Sequence, residues 1–298
     1  MKLPLKFVRP ALVNRLYRGA FRSGHGRARG GLRQAVCRAL FYPVEALRFP
    51  PGSTLEVDLV VRGRETTLRL PPWNRQFSPL YFSRYAEGYE TIVARSLAAH
   101  LPDDGVLVDV GSNWGYFPLL FASRETFHGR ILAFEPVPST FADLAAVIAQ
   151  AGLEPWVEIR QAAVGNADGE ATMHIPRHSG LARMETRGRG IQVPLLRLDS
   201  LGLDRLDVLK VDVEGHELEV FEGARETLRR LGPVIVFESG VGQAERWMPP
   251  LTFLEESGYR LHRPEIVGGG IEFRPFPAAR RAEMDRYFNV VAIREETA

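Results

Sequence analysis

Residues 106–135 read VLVDVGSNWGYFPLLFASRETFHGRILAFE, and the fold follows from them. The apolar run Val106–Val110 carries Asp109 near its end. Gly111-Ser112-Asn113-Trp114-Gly115 follows, and a second apolar run, Ile131–Phe134, ends in Glu135. Strand, glycine turn, helix, strand, acid is the order in which an open α/β sheet grips a nucleoside. A carboxylate about 20 residues past the glycines is placed to accept hydrogen bonds from ribose hydroxyls. A pyrophosphate binder needs G-x-G-x-x-G, so that backbone can touch phosphate at the helix N-terminus. Here the pattern is D-x-G-x-N-x-G, with Ser112 where the second phosphate glycine would stand. Such a turn suits a ligand with a ribose and an ammonium group but no phosphate, and S-adenosyl-L-methionine (SAM) is one.

On either side of this core the pattern continues. Strands are expected at 106–110, 130–135, 156–161, 206–212, 233–238, 258–263 and 287–293, and helices at 115–124, 139–151, 216–231 and 243–257. Their alternation argues an α/β fold, a parallel sheet with helices on both faces. An insert at 165–200 holds a turn (Gly165-Asn166, Asp168-Gly169), the strand-like EATMHI, a Gly/Arg-rich stretch at 177–190 and the strand-like IQVPLL. Long inserts beyond strand C-termini commonly build the second-substrate site. Upstream, TLEVDLVVRGRETTLRL (54–70) alternates on both sides of Arg62-Gly63-Arg64 and reads as a β-hairpin. The expected organisation is a basic arm at 1–48, a hairpin region at 49–85 and the α/β domain at 86–298.

The chain has 298 residues, 45% hydrophobic and 25% charged, which is ordinary globular composition. Its formal net charge of +2 hides an asymmetry. Residues 1–49 hold eleven cations and one acid, Glu45; that segment is +10 and the remainder −8. Leu12, Val13 and Leu16, and Val36, Leu40 and Phe41, have helical spacing within the arm. A basic arm on an acidic body suggests contact with something anionic: a membrane surface, nucleic acid or the body itself. No specific nucleic-acid motif is present, and an anionic membrane surface is the partner expected for residues 1–48. Cys37 is the single cysteine, so no intrachain disulfide is possible. No apolar run approaches the roughly 18 residues needed to span a bilayer. The expectation is a cytoplasmic protein, at most peripheral to a membrane.

Nearly every cation is arginine: 35 against three lysines, Lys2, Lys6 and Lys210. An interior Lys in such a chain is conspicuous, because a compact ammonium and a planar guanidinium are not interchangeable in a tight site. Lys210 stands in VLKVDVEGHE, the second informative segment. Alternation puts Lys210, Asp212 and Glu214 on one side of the strand, and Gly215 permits the turn that brings His216 and Glu217 into a helix. The cluster reads as acid–base machinery, or as a buried Lys–Asp pair with Glu217 as a helix-start charge.

Candidate cofactor-binding residues are Asp109, Gly111, Ser112, Asn113, Gly115, Glu135, Pro136, Ala162 and Asp212. Asp109 is expected near the ligand's ammonium. The glycines keep a Cβ out of a close approach by ligand or helix. Glu135 is expected on the ribose, although it could also cap the next helix. Ala162, in Gln161-Ala-Ala-Val-Gly165, is expected beside an adenine ring, although the segment also reads as a plain turn into the insert. Asp212 and Glu238, at neighbouring strand ends, are a weak alternative pair for a divalent cation.

LVDVGSNWGYF, LAFEPVPSTF, QAAVGNADGEATM, LDVLKVDVEGHELEVFEGARETL and PVIVFES, in this order and spacing, resemble the FkbM family of SAM-dependent methyltransferases over about residues 105–260. The resemblance implies the class I methyltransferase (Rossmann-like) fold, a seven-stranded sheet with its last strand antiparallel. It implies O-methylation of a hydroxyl on a small molecule, often a sugar, a glycan or a polyketide-type metabolite. It also implies that Asp109, Gly111, Asn113, Gly115 and Glu135 contact SAM, and that Asp212, Glu214 and His216 border the transfer site. His216 is the first candidate for general base, Asp212 or Glu214 the second, with Lys210 tuning the acids or holding the acceptor. Two readings compete. One is a non-catalytic nucleoside-binding module that docks through its basic arm to membrane or nucleic acid. The other is an NAD-dependent oxidoreductase, which the missing G-x-G-x-x-G disfavours.

Overall fold

A computed structural model describes residues 5–6, 53–72, 74–81, 88–174, 183–184, 190–239, 244–277 and 288–294. The chain divides into two compact units, residues 1–91 and 92–298.

In the first unit β1 (Leu5–Lys6), β2 (Leu55–Val61) and β3 (Arg64–Leu70) form an antiparallel sheet in that order. Period-two alternation buries Leu55, Val57, Leu59 and Val61 with Leu68 and Leu70 on one face. The expected hairpin closes through Arg62 and Gly63, both left-handed (φ 49° and 73°), a turn whose twist matches that of the strands. A 3-10 turn (Arg75–Phe77) then leads into α1 (Ser78–Tyr81), where Tyr81 Oη donates to the Pro71 carbonyl at 2.7 Å. Apart from β1, the basic arm and its helical clusters lie outside the described residues.

The second unit begins with α2 (Thr91–His100) and β4 (Val106–Val110). Then come α3 (Tyr116–Ala122), β5 (Arg130–Phe134), α4 (Pro138–Ala151) and β6 (Val157–Arg160). After the insert follow β11 (Val208–Val211), α5 (Glu217–Glu222), α6 (Arg225–Leu231), β12 (Val234–Ser239), α7 (Ala244–Glu256), β13 (Tyr259–Val267), β14 (Gly270–Pro275) and β15 (Phe288–Arg294). The main sheet runs β14-β13-β15-β12-β11-β4-β5-β6. Its strands β6, β5, β4, β11 and β12 are parallel, and the last strand, β15, is antiparallel to both of its neighbours. This is the class I methyltransferase arrangement. Valines and leucines run almost continuously through β4, β5, β11 and β12 because both faces are covered.

Two expectations need correction. The sheet has eight strands, not seven. The strand expected at 258–263 runs on as Tyr259–Val267: β15 pairs with β13 only over Tyr259–His262, and Pro264 stands beyond that, where β13 meets β14 alone. The left-handed Gly268 and Gly269 then turn the chain back into β14. The single helix expected at 216–231 is two helices. Gly223 lies so close to the Gly165 carbonyl that a Cβ there would collide with it. Asp199, remote in sequence, accepts hydrogen bonds from the N–H groups of Glu226 (3.1 Å) and Thr227 (2.7 Å) and so starts α6.

The insert forms a second sheet. β7 (Ala163–Val164), β8 (Gly169–His174), β9 (Arg183–Met184) and β10 (Ile191–Leu196) lie in the order β7-β10-β8-β9. Asp168 locks its base by accepting from Arg197 N (2.9 Å) and Ser200 Oγ (2.6 Å). Residues 175–182 and 185–189, most of the Gly/Arg-rich stretch, lie outside the described residues.

Candidate active site

In the main sheet the chain order reverses between β4 and β11. A crevice therefore opens at the carboxyl ends of these strands, the usual ligand site of an open α/β sheet. The glycine turn folds over the end of β5. The N–H groups of Gly111 and Ser112 both donate to the Phe134 carbonyl (3.0 and 2.9 Å), and Ser112 Oγ donates to the Asp109 carbonyl (2.8 Å). Gly111 is left-handed (φ 78°), and a Cβ on it would run into the Asp212 carbonyl oxygen. At Gly115 (φ 90°) a Cβ would lie 2.5 Å from Leu144 Cδ1 on α4. Both glycines therefore answer to the protein's own packing, a neighbouring strand end and a helix.

Glu135, 6% exposed, stands over this turn. Its Oε2 accepts from Asn113 N (3.1 Å) and its Oε1 from Val137 N (2.9 Å). Burial pushes the carboxyl up to about 7. The two backbone donors and the Lys210 ammonium oppose this, and the Asp109 charge adds to it. Glu135 is thus a desolvated acceptor to which hydroxyl donors would bring large benefit. It does not cap α4 with its side chain; that helix starts at Pro138 without a side-chain cap.

The cleft encloses about 720 Å³ counted out to its open mouth. Gly111, Asn113, Glu135, Pro136 and Ala162 line one side. Asp212, Glu214 and His216 line the other. Ser112 and Gly115 shape the turn from behind. Asp109 and Lys210 do not reach the wall either. They are register partners on β4 and β11, and Asp109 is 0% exposed. Lys210 Nζ lies 3.0 Å from Asp109 Oδ1, an ion pair without aligned hydrogen-bond geometry. The direct contact expected between Asp109 and a ligand ammonium is therefore replaced by a buried Lys–Asp pair beneath the floor.

On the second side the strand ends at Val211, and the chain turns through left-handed Glu214 (φ 55°) and Gly215 (φ 101°). Glu217 is buried and its Oε1 accepts from Gly215 N at 3.0 Å, so this acid shapes the turn. His216 directs Nδ1 toward Glu219 Oε1 at 3.8 Å. Glu238 lies on β12 opposite Asn289 and does not line the cleft. Among the described residues no cluster of three or more His, Cys, Asp or Glu side chains is placed to hold a metal ion, so the Asp212–Glu238 pair has no third ligand there.

Seven further residues line the cleft: Ala163 and Val164, within the segment read as the adenine edge, and Val110, Val137, Thr140, Met173 and Val213, which the sequence did not single out as site residues. Met173 comes from β8 of the insert and packs with Val137, Ala163 and Val193. EATMHI read as strand-like, but nothing in it told which surface Met173 would meet.

A profile described as the methyltransferase FkbM domain matches residues 109–261. The chain belongs to the FkbM methyltransferase family. Methyltransferase sdnD of Sordaria araneosa is 28% identical over 221 residues, covering 61% of this chain and 84% of that protein. Methyltransferase 1 of Beauveria bassiana is 31% identical over 196 residues, covering 56% and 78%. Hexuronic acid methyltransferase AglP of Haloferax volcanii is 30% identical over 154 residues, covering 49% and 61%. The FkbM fold and family imply a SAM-type cofactor, and the cleft fits one. It offers a buried carboxylate for ribose hydroxyls, small and apolar side chains beside it for a base, and an acidic rim for a cationic methyl donor. No helix among the described residues is long and apolar enough to cross a membrane.

Proposed function

We propose that this FkbM protein transfers a methyl group from SAM to a hydroxyl oxygen of a small molecule, a sugar or glycan or a polyketide-type metabolite. The observation that supports this best is the division of one cleft. A desolvated acceptor, Glu135, lies on one side, and the ionisable rim Asp212, Glu214 and His216 on the other. SAM supplies an activated methyl on a positively charged sulfur. The chain does the rest. Glu135 accepts the ribose hydroxyls, and the Gly111–Asn113 backbone and Pro136 bound the sugar. Ala162 and Ala163 leave space for the adenine, with Val137 and Met173 as its apolar walls. Asp212 and Glu214 favour the cationic end electrostatically. His216, steadied by Glu219, takes the proton from the acceptor hydroxyl, and Asp212 or Glu214 is the alternative base.

The hexuronic acid methyltransferase among the relatives supports a sugar acceptor. The test is incubation of purified protein with methyl-labelled SAM and a panel of sugars, uronic acids, glycolipids and polyketide-type hydroxy compounds. The expected product carries label that survives mild base, as a methyl ether does. Label released by base would mark a carboxyl methyl ester and overturn hydroxyl transfer. Complete absence of SAM and S-adenosylhomocysteine binding would overturn the cofactor assignment itself.

A further inference from the structure

Lys210 sits on the central strand β11, its side chain only 5% exposed. Four groups converge on its Nζ. The Gly111 carbonyl accepts a hydrogen bond at 2.9 Å. Asp109 Oδ1 stands at 3.0 Å and Asp212 Oδ2 at 3.7 Å. The Phe117 ring centre lies 5.4 Å away, on α3. These groups come from the end of β4, the glycine turn, the loop after β11 and the first turn of a helix. One atom with three donors can serve acceptors clustered this tightly, whereas a guanidinium spreads its donors over a wider planar fork. That accounts for the interior lysine in a chain with 35 arginines.

Stability alone does not explain the arrangement. A buried ion pair is often no better for stability than a well-packed apolar pair of similar volume. An apolar pair, however, cannot hold the Gly111 carbonyl. With the Gly111 N–H already on the Phe134 carbonyl, Lys210 fixes the turn at its second polar group.

We propose that Lys210 is a positioning residue for the cofactor: it pins the glycine turn, draws Asp212 toward the floor, and so presets both sides of the cleft before the ligand arrives. Asp109 is its buried counter-charge. This rests on the SAM reading of the cleft given above. A second consequence concerns Glu135. The charges acting on it are Lys210, which favours its ionised form, and Asp109, which opposes it, beside the N–H groups of Val137 and Asn113. Asp212, Glu214 and His216 face it across the cleft. Removal of Lys210 alone drives Glu135 toward its protonated form and moves cofactor binding to higher pH.

The test is calorimetric binding of S-adenosylhomocysteine to the full chain between about pH 6 and about pH 9, the range around the Glu135 midpoint. The proteins are wild type, Lys210→Met, Lys210→Arg and the charge-balanced double variant Asp109→Asn/Lys210→Met, with thermal melting alongside. In Lys210→Met the pH midpoint for binding moves up. Should that variant fail to fold, the double variant carries the test. The double variant melts close to wild type yet binds about tenfold or more weakly even at high pH, the effect of a lost charge-assisted hydrogen bond. Lys210→Arg does not restore binding. Wild-type affinity in the double variant at every pH would reduce Lys210 to a strut and overturn the inference while leaving the SAM reading intact. If wild type itself binds nothing, the SAM reading falls first.

Discussion

The two sides of the cleft are built differently. The Glu135 side is tied by backbone at every point: Gly111 and Ser112 to Phe134, Asn113 and Val137 to Glu135, Ser112 Oγ to Asp109. The Asp212–His216 side leaves the strand at Val211, passes through two left-handed residues, and carries an Asp212 side chain that is 35% exposed. A cofactor is the same at every turnover and rewards a rigid cradle. An acceptor must enter, lose a proton and leave, which suits an open, ionisable rim.

Four substitutions break or sharpen this contrast, from the one expected to cost the fold itself to the one expected to do least. Gly111→Ala strikes the point where the two sides touch, since a Cβ there meets the Asp212 carbonyl at a positive φ. The expected loss is about 3 kcal/mol or more of stability, read as a collapse in melting temperature. A protein that melts like wild type would show that the sides are not in contact.

Glu135→Gln separates the rigid side from the open one. S-adenosylhomocysteine affinity falls about 10- to 100-fold, the worth of hydrogen bonds to a charged acceptor. The pH dependence carries a definite sign. The Glu135 carboxyl titrates at about 7 in the fold, against an ordinary value of 4.5. Its contribution to stability is fully present below the lower value and is lost as pH rises through the upper one, a swing on the order of 3 kcal/mol. The ligand-free protein therefore melts higher as pH falls from about 8 to about 5, while cofactor binding weakens over the same interval. Asp168, held at about 2 by the Ser200 hydroxyl and by Arg197, acts in the opposite sense but only at more acidic pH. Calorimetry and melting across that range check both trends, and Glu135→Gln should flatten them together.

His216→Ala probes the open side alone. Turnover falls about 100-fold or more, as for loss of a general base, with cofactor affinity unchanged. A parallel loss of affinity would show that His216 belongs to the cradle. The smallest effect is expected at Thr140, a buried residue whose Oγ has no hydrogen-bond partner among the described residues. Thr140→Val removes an unsatisfied hydroxyl and should raise stability by about 1 kcal/mol, with little change in cofactor affinity.

Local chemistry was legible in the sequence; register was not. The strands, the Arg62-Gly63 hairpin, the glycine turn and Glu135 at a strand end all rest on alternation, turn residues and position, which one stretch of chain carries by itself. Asp109 was singled out as cofactor-facing and Lys210 as catalytic, with a buried Lys–Asp pair within the 210–217 cluster as the other reading. Their identity as a cross-strand pair requires knowing that β11 lies beside β4 with those two residues opposite. Glu217 read as one more acid in a cluster or as a helix-start charge; it does start α5, and its local bond back to Gly215 N follows from the left-handed turn at Glu214 and Gly215. The break between α5 and α6 depends on Asp199, more than twenty residues upstream, and Met173 reaches the cleft only because the insert folds into its own sheet.

Gly223 joins two of these features. Its bare Cα is what lets the base of the insert, at Gly165, rest on the joint between α5 and α6. Anyone transplanting residues 165–200 between relatives to change acceptor preference would be moving one half of a lock. The receiving scaffold must already own a glycine at the joint, or the chimera will seat its new loop crookedly over an otherwise sound nucleoside pocket.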